Sequence, residues 1–270
     1  MNKPTLYIMC GLSGSGKSTI ATQIANENPN TIIVSSDAIR EELTGNYEDQ
    51  EHNEEVFKIF HNRIRKNLEN KKNVIADATN LTMKSRRAIM MKVNGLEVHK
   101  VCVVIPKPFE QCKIDNKNRE HPVPNEVLDK QIRRFQIPFY EEKFDEIQIN
   151  VFHKENRLTL EEMFSMMEGF DQKNPHHTMD LYNHSFHTYE LFSSKCYPAK
   201  YNISALLHDF GKMYCQTFDE NGIAHYYEHH AIGSYLILEN LSGIFYEDIG
   251  DICFLINYHM MPFNWDTDKA

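Results

Sequence analysis

The first half of the chain alternates short apolar runs with helical patterns. Five β-branched, apolar runs predict strands at 5–10, 31–35, 73–77, 97–105 and 146–152. The intervening segments predict helices at 17–27, 37–44, 51–70, 82–94, 108–118 and 124–137. This alternation is typical of a parallel five-stranded sheet covered by helices on both faces, so we expect an α/β fold here.

After about Asn156 the pattern changes to helices alone. The strand signals stop, and helices are predicted at 158–168, 178–193, 199–210, 226–241 and 246–259. Segment 171–177 indicates the junction into an all-helical part. Charge changes as well: residues 1–155 hold 23 Lys and Arg against 22 Asp and Glu, whereas residues 156–270 hold 6 against 16. We therefore predict two domains, at 1–155 and 156–270.

Composition narrows the class of protein. The chain has 270 residues, 41% of them apolar, and a net charge of −9, which argues against tight non-specific binding to nucleic acid. No apolar run approaches the roughly 18 residues of a membrane span, and the first residues lack an export pattern, so we expect a soluble, cytoplasmic protein. The 6 cysteines are scattered without a C-x-x-C pair, which favours buried thiols over disulfides.

A phosphate-binding motif follows the first predicted strand. The sequence GLSGSGKST fits G-x-x-x-x-G-K-[ST] and lies between an apolar run and a helical segment, as a P-loop requires. Its backbone N–H groups would surround the phosphates of ATP or another NTP, Lys17 would reach the β- and γ-phosphates, and Ser18 would hold Mg²⁺. The predicted nucleotide-binding residues are Gly11, Ser13, Gly14, Ser15, Gly16, Lys17, Ser18 and Thr19.

A second motif, D-x-x-R, follows the second predicted strand. Asp37 and Arg40 lie one turn apart at the start of a helix, on the side of the sheet where the P-loop lies. A carboxylate there can deprotonate an attacking hydroxyl, and an arginine can hold an acceptor phosphate. The alternative is a helix-capping aspartate with a surface arginine.

Further charged residues extend this candidate site. Asp77 ends the third strand, where a carboxylate can bind Mg²⁺ or the acceptor. Lys84, Arg86 and Arg87 follow on the next helix, where they either extend the site or form a solvated helix face. Arg119 lies in a proline-punctuated loop and is the preferred lid cation for the transferring phosphoryl group. Arg133 and Arg134 follow on the next helix as substrate-binding candidates or exposed charges.

Together these motifs resemble the P-loop polynucleotide 5′-kinases of RNA and DNA end repair. The resemblance rests on GLSGSGKST, SSDAIR, VIADATNLTMKSRR and NREHPVPNEVLDKQIRRF, and it covers residues 1 to about 150. It implies that Asp37 is the general base for a 5′-OH, that Arg40 contacts the adjacent phosphate, and that Arg119 is the lid arginine. The P-loop alone is shared with gluconate, shikimate and adenylylsulfate kinases.

Histidines and one aspartate recur on separate predicted helices of the second half. They are His184, His208, Asp209, His229, His230 and His259. A helical bundle can bring such residues together, and imidazole with carboxylate suits Mn, Fe, Co, Ni or Zn. Such a metal lowers the pKa of bound water for attack on a phosphate ester. Any one histidine alone favours a structural role; His187 either lines or supports the site.

This pattern resembles the HD phosphohydrolase superfamily from about residue 175 onward. NHSFHT, ALLHDFGK, YYEHHAIGSYL and LINYHMMPF carry the resemblance. It implies His184, His208, Asp209, His229 and His259 as metal ligands, with His229 fitting better than His230. The family usually adds a late aspartate, which has no convincing equivalent here, since Asp248 and Asp251 precede His259. Either the sequence is truncated or the first metal site lacks a ligand and hydrolysis is weak or absent.

The two resemblances together imply an α/β P-loop kinase domain followed by an all-α HD-type domain in an end-repair enzyme. We expect transfer of the NTP γ-phosphate to a 5′-OH of RNA or DNA, and removal of a 3′-phosphate or 2′,3′-cyclic phosphate by the second domain. A polynucleotide ligase is a further candidate partner. Two alternatives stay open: a small-molecule kinase fused to a nucleotidase-like HD domain, and a non-catalytic NTP-driven switch.

Overall fold

A computed structural model describes residues 3–47, 49, 51–151, 157–175 and 178–261. These residues divide into two compact units. The first comprises residues 1–131 and 138–152, and the second comprises residues 132–137 and 153–270. The predicted boundary at residue 155 lies outside the described residues.

The first unit is built on a five-stranded parallel sheet, which confirms the predicted sheet. Its strands are β1 (Thr5–Cys10), β2 (Thr31–Ser35), β3 (Asn73–Asp77), β4 (His99–Val104) and β5 (Glu146–Ile149). They lie side by side in the order β2-β3-β1-β4-β5. β1 and β3 are almost wholly buried because apolar side chains cover both faces of the sheet. The strand order changes direction at β1, with β3 and β2 on one side and β4 and β5 on the other. Such a switch point leaves a crevice at the carboxyl ends of the strands.

Six helices accompany this sheet. They are α1 (Lys17–Glu27), α2 (Ser36–Thr44), α3 (Asn53–Glu69), α4 (Met83–Lys92), α5 (Phe109–Lys117) and α6 (Asn125–Ile132). A 3₁₀ turn covers Tyr140–Glu142. On α4 the structure places Arg86 wholly inside the core, where its guanidinium pairs with Glu142 at 2.7 Å. The alternative of a solvated helix face is therefore wrong for Arg86, whose charge is neutralised by a carboxylate 56 residues away in the sequence.

The prediction of a helix from 124 to 137 is wrong at its end, since α6 ends at Ile132. Pro138 disfavours the helical conformation for the residue before it. The backbone around Phe135 and Ile137 is instead held by Asn257 of the second unit. Asn257 accepts from the Ile137 N–H at 2.7 Å and donates to the Phe135 carbonyl at 3.1 Å. This segment therefore folds with the second unit rather than with the helix that precedes it.

The second unit is mainly helical. Its helices are α7 (Leu160–Ser165), α8 (Leu181–Ser193), α9 (Ala199–Leu207), α10 (His229–Leu241) and α11 (Ile249–Tyr258), with a 3₁₀ turn at Phe210–Tyr214. α10 is almost completely buried and packs against α11 and the 3₁₀ turn. α8 packs on α9, and α9 packs on α11. The polar residues of this unit's candidate site lie at the ends of α9, α10 and α11.

The expectation that no strand follows residue 156 is wrong in one place. β6 (Thr217–Phe218) and β7 (Ala224–His225) form a short antiparallel hairpin. Its turn is made by Asp219, whose side chain accepts from the N–H groups of Asn221 and Ile223, and by Gly222 at φ 74°. Two-residue strands are too short to leave a periodic apolar signal, so the turn residues are the only sequence signal of the hairpin.

Candidate active sites

The P-loop lies between β1 and α1 as the motif predicts. Gly14 has φ 78°, and a Cβ on it would lie 2.2 Å from the Cys112 carbonyl oxygen, so only glycine fits there. Lys17 Nζ donates to the Leu12 carbonyl at 2.7 Å, which folds its side chain back over the loop. The Ser15 hydroxyl is buried without a hydrogen-bond partner among the described residues. An unpaired buried donor in a glycine-rich loop fits a phosphate oxygen as its missing partner.

Two side chains that the sequence reasoning missed hold this loop in place. The Gln131 side chain accepts from the Ser13 N–H at 2.8 Å and donates to the Ser13 hydroxyl at 2.9 Å. Lys107 is buried, pairs with Asp115, and donates to the Gly14 carbonyl at 3.3 Å. Gln131 lies 118 residues from Ser13 and Lys107 lies 93 residues from Gly14, and no local motif marks either contact.

Asp77 lies at the end of β3, directly beside the P-loop. Its carboxylate accepts from the Ser18 hydroxyl at 2.9 Å. Burial raises the pKa of Asp77, and the nearby ammonium of Lys17 only partly offsets this. Burial lowers the pKa of Lys17, opposed by the charge of Asp77. A hydroxyl, a carboxylate and an amine thus converge where a nucleotide's phosphates and Mg²⁺ would lie, and oxygen ligands of this kind suit Mg²⁺.

Asp37 lies between two arginines. Ser35 caps α2 by accepting from the Ala38 N–H at 3.3 Å, which places Asp37 in the first turn. Arg40 Nη1 lies 3.1 Å from one Asp37 oxygen, and Arg119 Nη2 lies 3.8 Å from the other. The Asp37 side chain is 64% exposed, whereas that of Arg40 is only 8% exposed. The structure therefore brings these three predicted residues together around an accessible carboxylate.

The guanidinium of Arg40 is fixed by hydrogen bonds, and one of its N–H groups is unpaired among the described residues. Its Nη2 donates to Asn53 Oδ1 at 2.9 Å. Its Nε is buried and has no hydrogen-bond partner among the described residues. Because buried guanidinium donors are normally paired, this Nε fits an acceptor oxygen supplied by a ligand.

The two remaining predicted arginines lie in the segment 132–137, which folds with the second unit. Arg133 belongs to the second unit, where it lies 3.5 Å from a Glu228 oxygen and donates to the Tyr227 carbonyl at 3.2 Å. Arg134 is exposed. Their role in binding substrate stays a prediction.

The second unit gathers four histidines around Asp209. One Asp209 oxygen lies 3.3 Å from His184 Nε2 and 3.1 Å from His208 Nε2. The other lies 3.2 Å from His229 Nε2 and 3.6 Å from His259 Nε2. These atoms form two possible metal-binding groups that share Asp209. All five ligand residues implied by the sequence resemblance therefore converge.

The backbone fixes the tautomers of three of these imidazoles. His208, His229 and His259 each place Nδ1 at 2.8 Å from a carbonyl oxygen three residues earlier in the chain. Because a carbonyl only accepts, Nδ1 carries the proton and Nε2 presents a lone pair. His229 Nε2 and His259 Nε2 nevertheless lie 3.1 Å apart. A proton or a metal ion between the two nitrogens relieves this contact, and imidazole nitrogens with a carboxylate oxygen are a donor set that fits a divalent transition metal.

Asp209 is the electrostatic centre of this cluster. Burial alone would raise its pKa, but His208, His184 and His229 hold the pKa of Asp209 well below its usual range. Burial lowers the pKa of His208, but the charge of Asp209 together with the hydrogen bonds to Asp209 and to the Ala205 carbonyl raises it above its ordinary value. Lys212 is buried, lies 2.8 Å from the Asp209 carboxylate and donates to Gln172 at 2.8 Å. The carboxylate is thus kept ionised and fixed in orientation.

The other candidates lie outside this cluster. His230 is not in either metal group, and burial lowers its pKa to about 4. His187 lines a surface cavity of about 450 Å³ beside α8. Asp248 and Asp251 pair with Lys200, so they do not supply a late aspartate ligand. His176 and His177 lie outside the described residues.

Comparisons with known proteins cover the first unit. Residues 6–138, just under half of the chain, match the family model of an AAA domain. The L-seryl-tRNA(Sec) kinase of Methanococcus maripaludis is 31% identical over 138 residues, which are 49% of this chain and 53% of that relative. The chain thus spans about half the length of this curated relative. The first unit is thus similar to P-loop domains of the kinase type, for which ATP and Mg²⁺ are the implied ligands.

Solved structures with similar chains include proteins of different function. A chain of the Pnkp1/Rnl/Hen1 RNA repair complex is 25% identical with a TM-score of 0.46, over 54% of this chain and 47% of that chain. A gluconokinase from Sinorhizobium meliloti 1021 is 17% identical with a TM-score of 0.39, over 57% of this chain and 86% of that chain.

Within the described residues, no helix is both long and apolar enough to cross a membrane.

Proposed function

We propose that the first unit transfers the γ-phosphate of an NTP to the 5′-OH end of RNA or DNA. The observation that carries this proposal is the position of Asp37, an exposed carboxylate between Arg40 and Arg119 at the edge of the P-loop site. A carboxylate in that place suits a hydroxyl acceptor, and two guanidinium groups suit an acceptor that is itself anionic.

The residues divide the reaction as follows. Asp37 accepts the proton of the attacking hydroxyl. The oxygen of that hydroxyl bonds to the γ-phosphorus, and the bond between the γ-phosphorus and the β-phosphate oxygen breaks. Arg40 binds the phosphate next to the accepting nucleoside, using the Nε that has no partner in the described protein. Lys17 and Arg119 stabilise charge on the transferring group. Ser18 and Asp77 would hold Mg²⁺, which would supply positive charge to the phosphates of the NTP.

We propose that the second unit is a metal-dependent phosphohydrolase acting on a 3′-phosphate or 2′,3′-cyclic phosphate. The two ligand groups that share Asp209 support this, because each brings two imidazole nitrogens and one carboxylate oxygen to within 4.8 Å of one another. When bound, a divalent Mn, Ni, Co, Fe or Zn ion supplies an acidified water for phosphate ester hydrolysis. His184, His208, His229, His259 and Asp209 are the ligands we propose among the described residues.

The two activities would act on opposite sides of one break. The product of the first is a 5′-phosphate and that of the second a free 3′-OH, which a polynucleotide ligase joins. A ligase is therefore the partner we propose, and a cytoplasmic location remains a prediction.

A second candidate acceptor follows from the curated relative. At 31% identity over 138 residues, the similarity to an L-seryl-tRNA(Sec) kinase favours a hydroxyl carried on an aminoacylated tRNA. Such an acceptor is also a polyanion, so Arg40 and Arg119 serve either substrate equally well. The two proposals differ only in the hydroxyl that Asp37 deprotonates.

The test is a comparison of acceptors with γ-labelled ATP. We expect label in a 5′-OH oligonucleotide, and none in the same oligonucleotide carrying a 5′-phosphate. Seryl-tRNA and gluconate serve as competing acceptors. Label in seryl-tRNA alone would transfer the assignment to the second candidate, and label in gluconate alone would refute a nucleic acid acceptor. For the second unit, phosphate release from a 3′-phosphate oligonucleotide with Mn²⁺ should be lost in His208→Ala.

A further inference from the structure

Two aromatic rings meet on the two segments of the first unit that follow Arg40 and Arg119, and neither ring belongs to the mechanism described above. The rings of Tyr47 and His121 have their centroids 3.9 Å apart, at an interplanar angle of 36°. Both side chains are half-buried and come from polar loops. A ring pair in such loops is not explained by the packing of a hydrophobic core, so it calls for a separate account.

Tyr47 follows the helix that carries two residues of the proposed acceptor site. α2 carries Asp37 and Arg40 and ends at Gly45, which turns the chain with φ 66°. The Thr44 hydroxyl then donates to the Asn46 carbonyl at 2.8 Å and accepts from the Asn46 N–H at 3.2 Å. These bonds fix the backbone directly before Tyr47.

His121 is held in the same way on the loop that carries Arg119. Asn116 is buried, and its side chain donates to the Val123 carbonyl at 2.7 Å and accepts from the Val123 N–H at 3.1 Å. This pair of bonds closes the loop, so Arg119 and His121 are presented together. The loop therefore meets the α2 segment twice, through Arg119 on Asp37 and through His121 on Tyr47.

We infer that Tyr47 and His121 form a stacking subsite for the nucleobase of the accepting nucleotide. The inference rests on the proposed nucleic acid acceptor. A nucleotide carries an anionic phosphate and a planar base on one sugar, and here two guanidinium groups for a phosphate adjoin two rings for a base. Aromatic rings bind single-stranded bases by stacking and do so with little sequence preference. A sugar acid or a free hydroxy acid offers nothing to these rings.

The experiment compares two 5′-OH oligonucleotides that differ only at the first nucleotide, which carries a base in one and is abasic in the other. Stacking of one base is worth about a 5- to 150-fold preference, so we expect wild-type kcat/KM to be roughly tenfold or more higher for the base-bearing acceptor. Tyr47→Ala and His121→Ala should lower kcat/KM for that acceptor toward the abasic value and leave the abasic acceptor unchanged. Tyr47→Phe, which retains the ring, should keep the preference.

Tyr140→Ala is the matched control, because Tyr140 is a 62% exposed tyrosine of the same unit outside the site. It should leave both rates unchanged. If Tyr47→Ala lowers kcat/KM by the same factor for both acceptors, or for neither, the rings do not bind the base. The subsite is then refuted while the kinase assignment stands. If the wild type labels neither oligonucleotide, the proposed acceptor fails and the subsite fails with it.

Discussion

Gly211→Ala tests whether the close packing of the second unit sets the geometry of its His/Asp cluster. Gly211 lies two residues after Asp209, and its backbone conformation would accept alanine because φ is not positive. The added Cβ, however, would lie 2.1 Å from the His229 carbonyl oxygen and 2.6 Å from the Gly233 nitrogen. Both contacts are with the backbone of α10, so α10 must move away, and His229 moves with it.

The expected cost is that of overpacking a rigid core, about 1–3 kcal/mol of unfolding free energy for the second unit. Displacement of His229 from Asp209 should also weaken Mn²⁺ binding by roughly tenfold or more, as changes in residues that orient ligands do. Urea unfolding followed by circular dichroism measures the first effect, and calorimetric titration with Mn²⁺ measures the second. ATP binding by the first unit reports whether the variant has folded.

Gly250→Ala is the matched control for this substitution. Gly250 lies in α11, and a Cβ there would meet no atom within 4 Å. Alanine is a better helix former, so this change should be neutral or stabilise by up to about 1 kcal/mol, with Mn²⁺ affinity unchanged. Gly211→Ala behaving like Gly250→Ala in both measurements would refute the argument that this contact positions the cluster.

Three further outcomes follow from the structure. Arg86→Ala should cost about 3–5 kcal/mol in urea unfolding because it leaves Glu142 buried and unpaired, whereas exposed Arg87→Ala should stay within about 0.5 kcal/mol; equal effects would contradict the buried pair. Gln131→Ala removes two hydrogen bonds from the P-loop and should weaken ATP binding about 5- to 100-fold in calorimetry, and an unchanged affinity would show that the loop holds its shape alone. Mn²⁺ affinity should fall as pH decreases, beginning above pH 6.5 because Asp209 raises the pKa of His208, and a flat profile between pH 8 and 5.5 would exclude imidazole ligands.

Elements marked by local patterns were predictable from the sequence. The strands β1, β2 and β3 have the predicted bounds, because each is a short apolar run between polar turns. Lys17, Ser18 and Asp37 could be assigned because their motifs are contiguous, and strand ends of one parallel sheet meet at one edge. The histidines could be grouped by a family resemblance, and the structure then brought His184, His208, His229 and His259 to Asp209.

Contacts between distant segments were not predictable. Gln131 and Lys107 support the P-loop from 118 and 93 residues away, without a motif of their own. Arg86 has the sequence context of an exposed helix residue, and only its pairing with Glu142 explains its burial. Tyr47 and His121 come from loops 74 residues apart, and their rings meet only in the folded unit. In each case the partner is chosen by tertiary packing, which one-dimensional periodicity does not encode.

The identity of the residue that deprotonates the acceptor is the central claim for the first unit. The most direct measurement is single-turnover transfer of labelled γ-phosphate to a saturating 5′-OH oligonucleotide by the wild type and by Asp37→Asn. The substitution keeps the side chain's shape and removes its basicity, so we expect the transfer rate to fall by roughly 10²- to 10⁴-fold with ATP affinity unchanged. A variant that transfers phosphate within about threefold of the wild-type rate would contradict the role of Asp37.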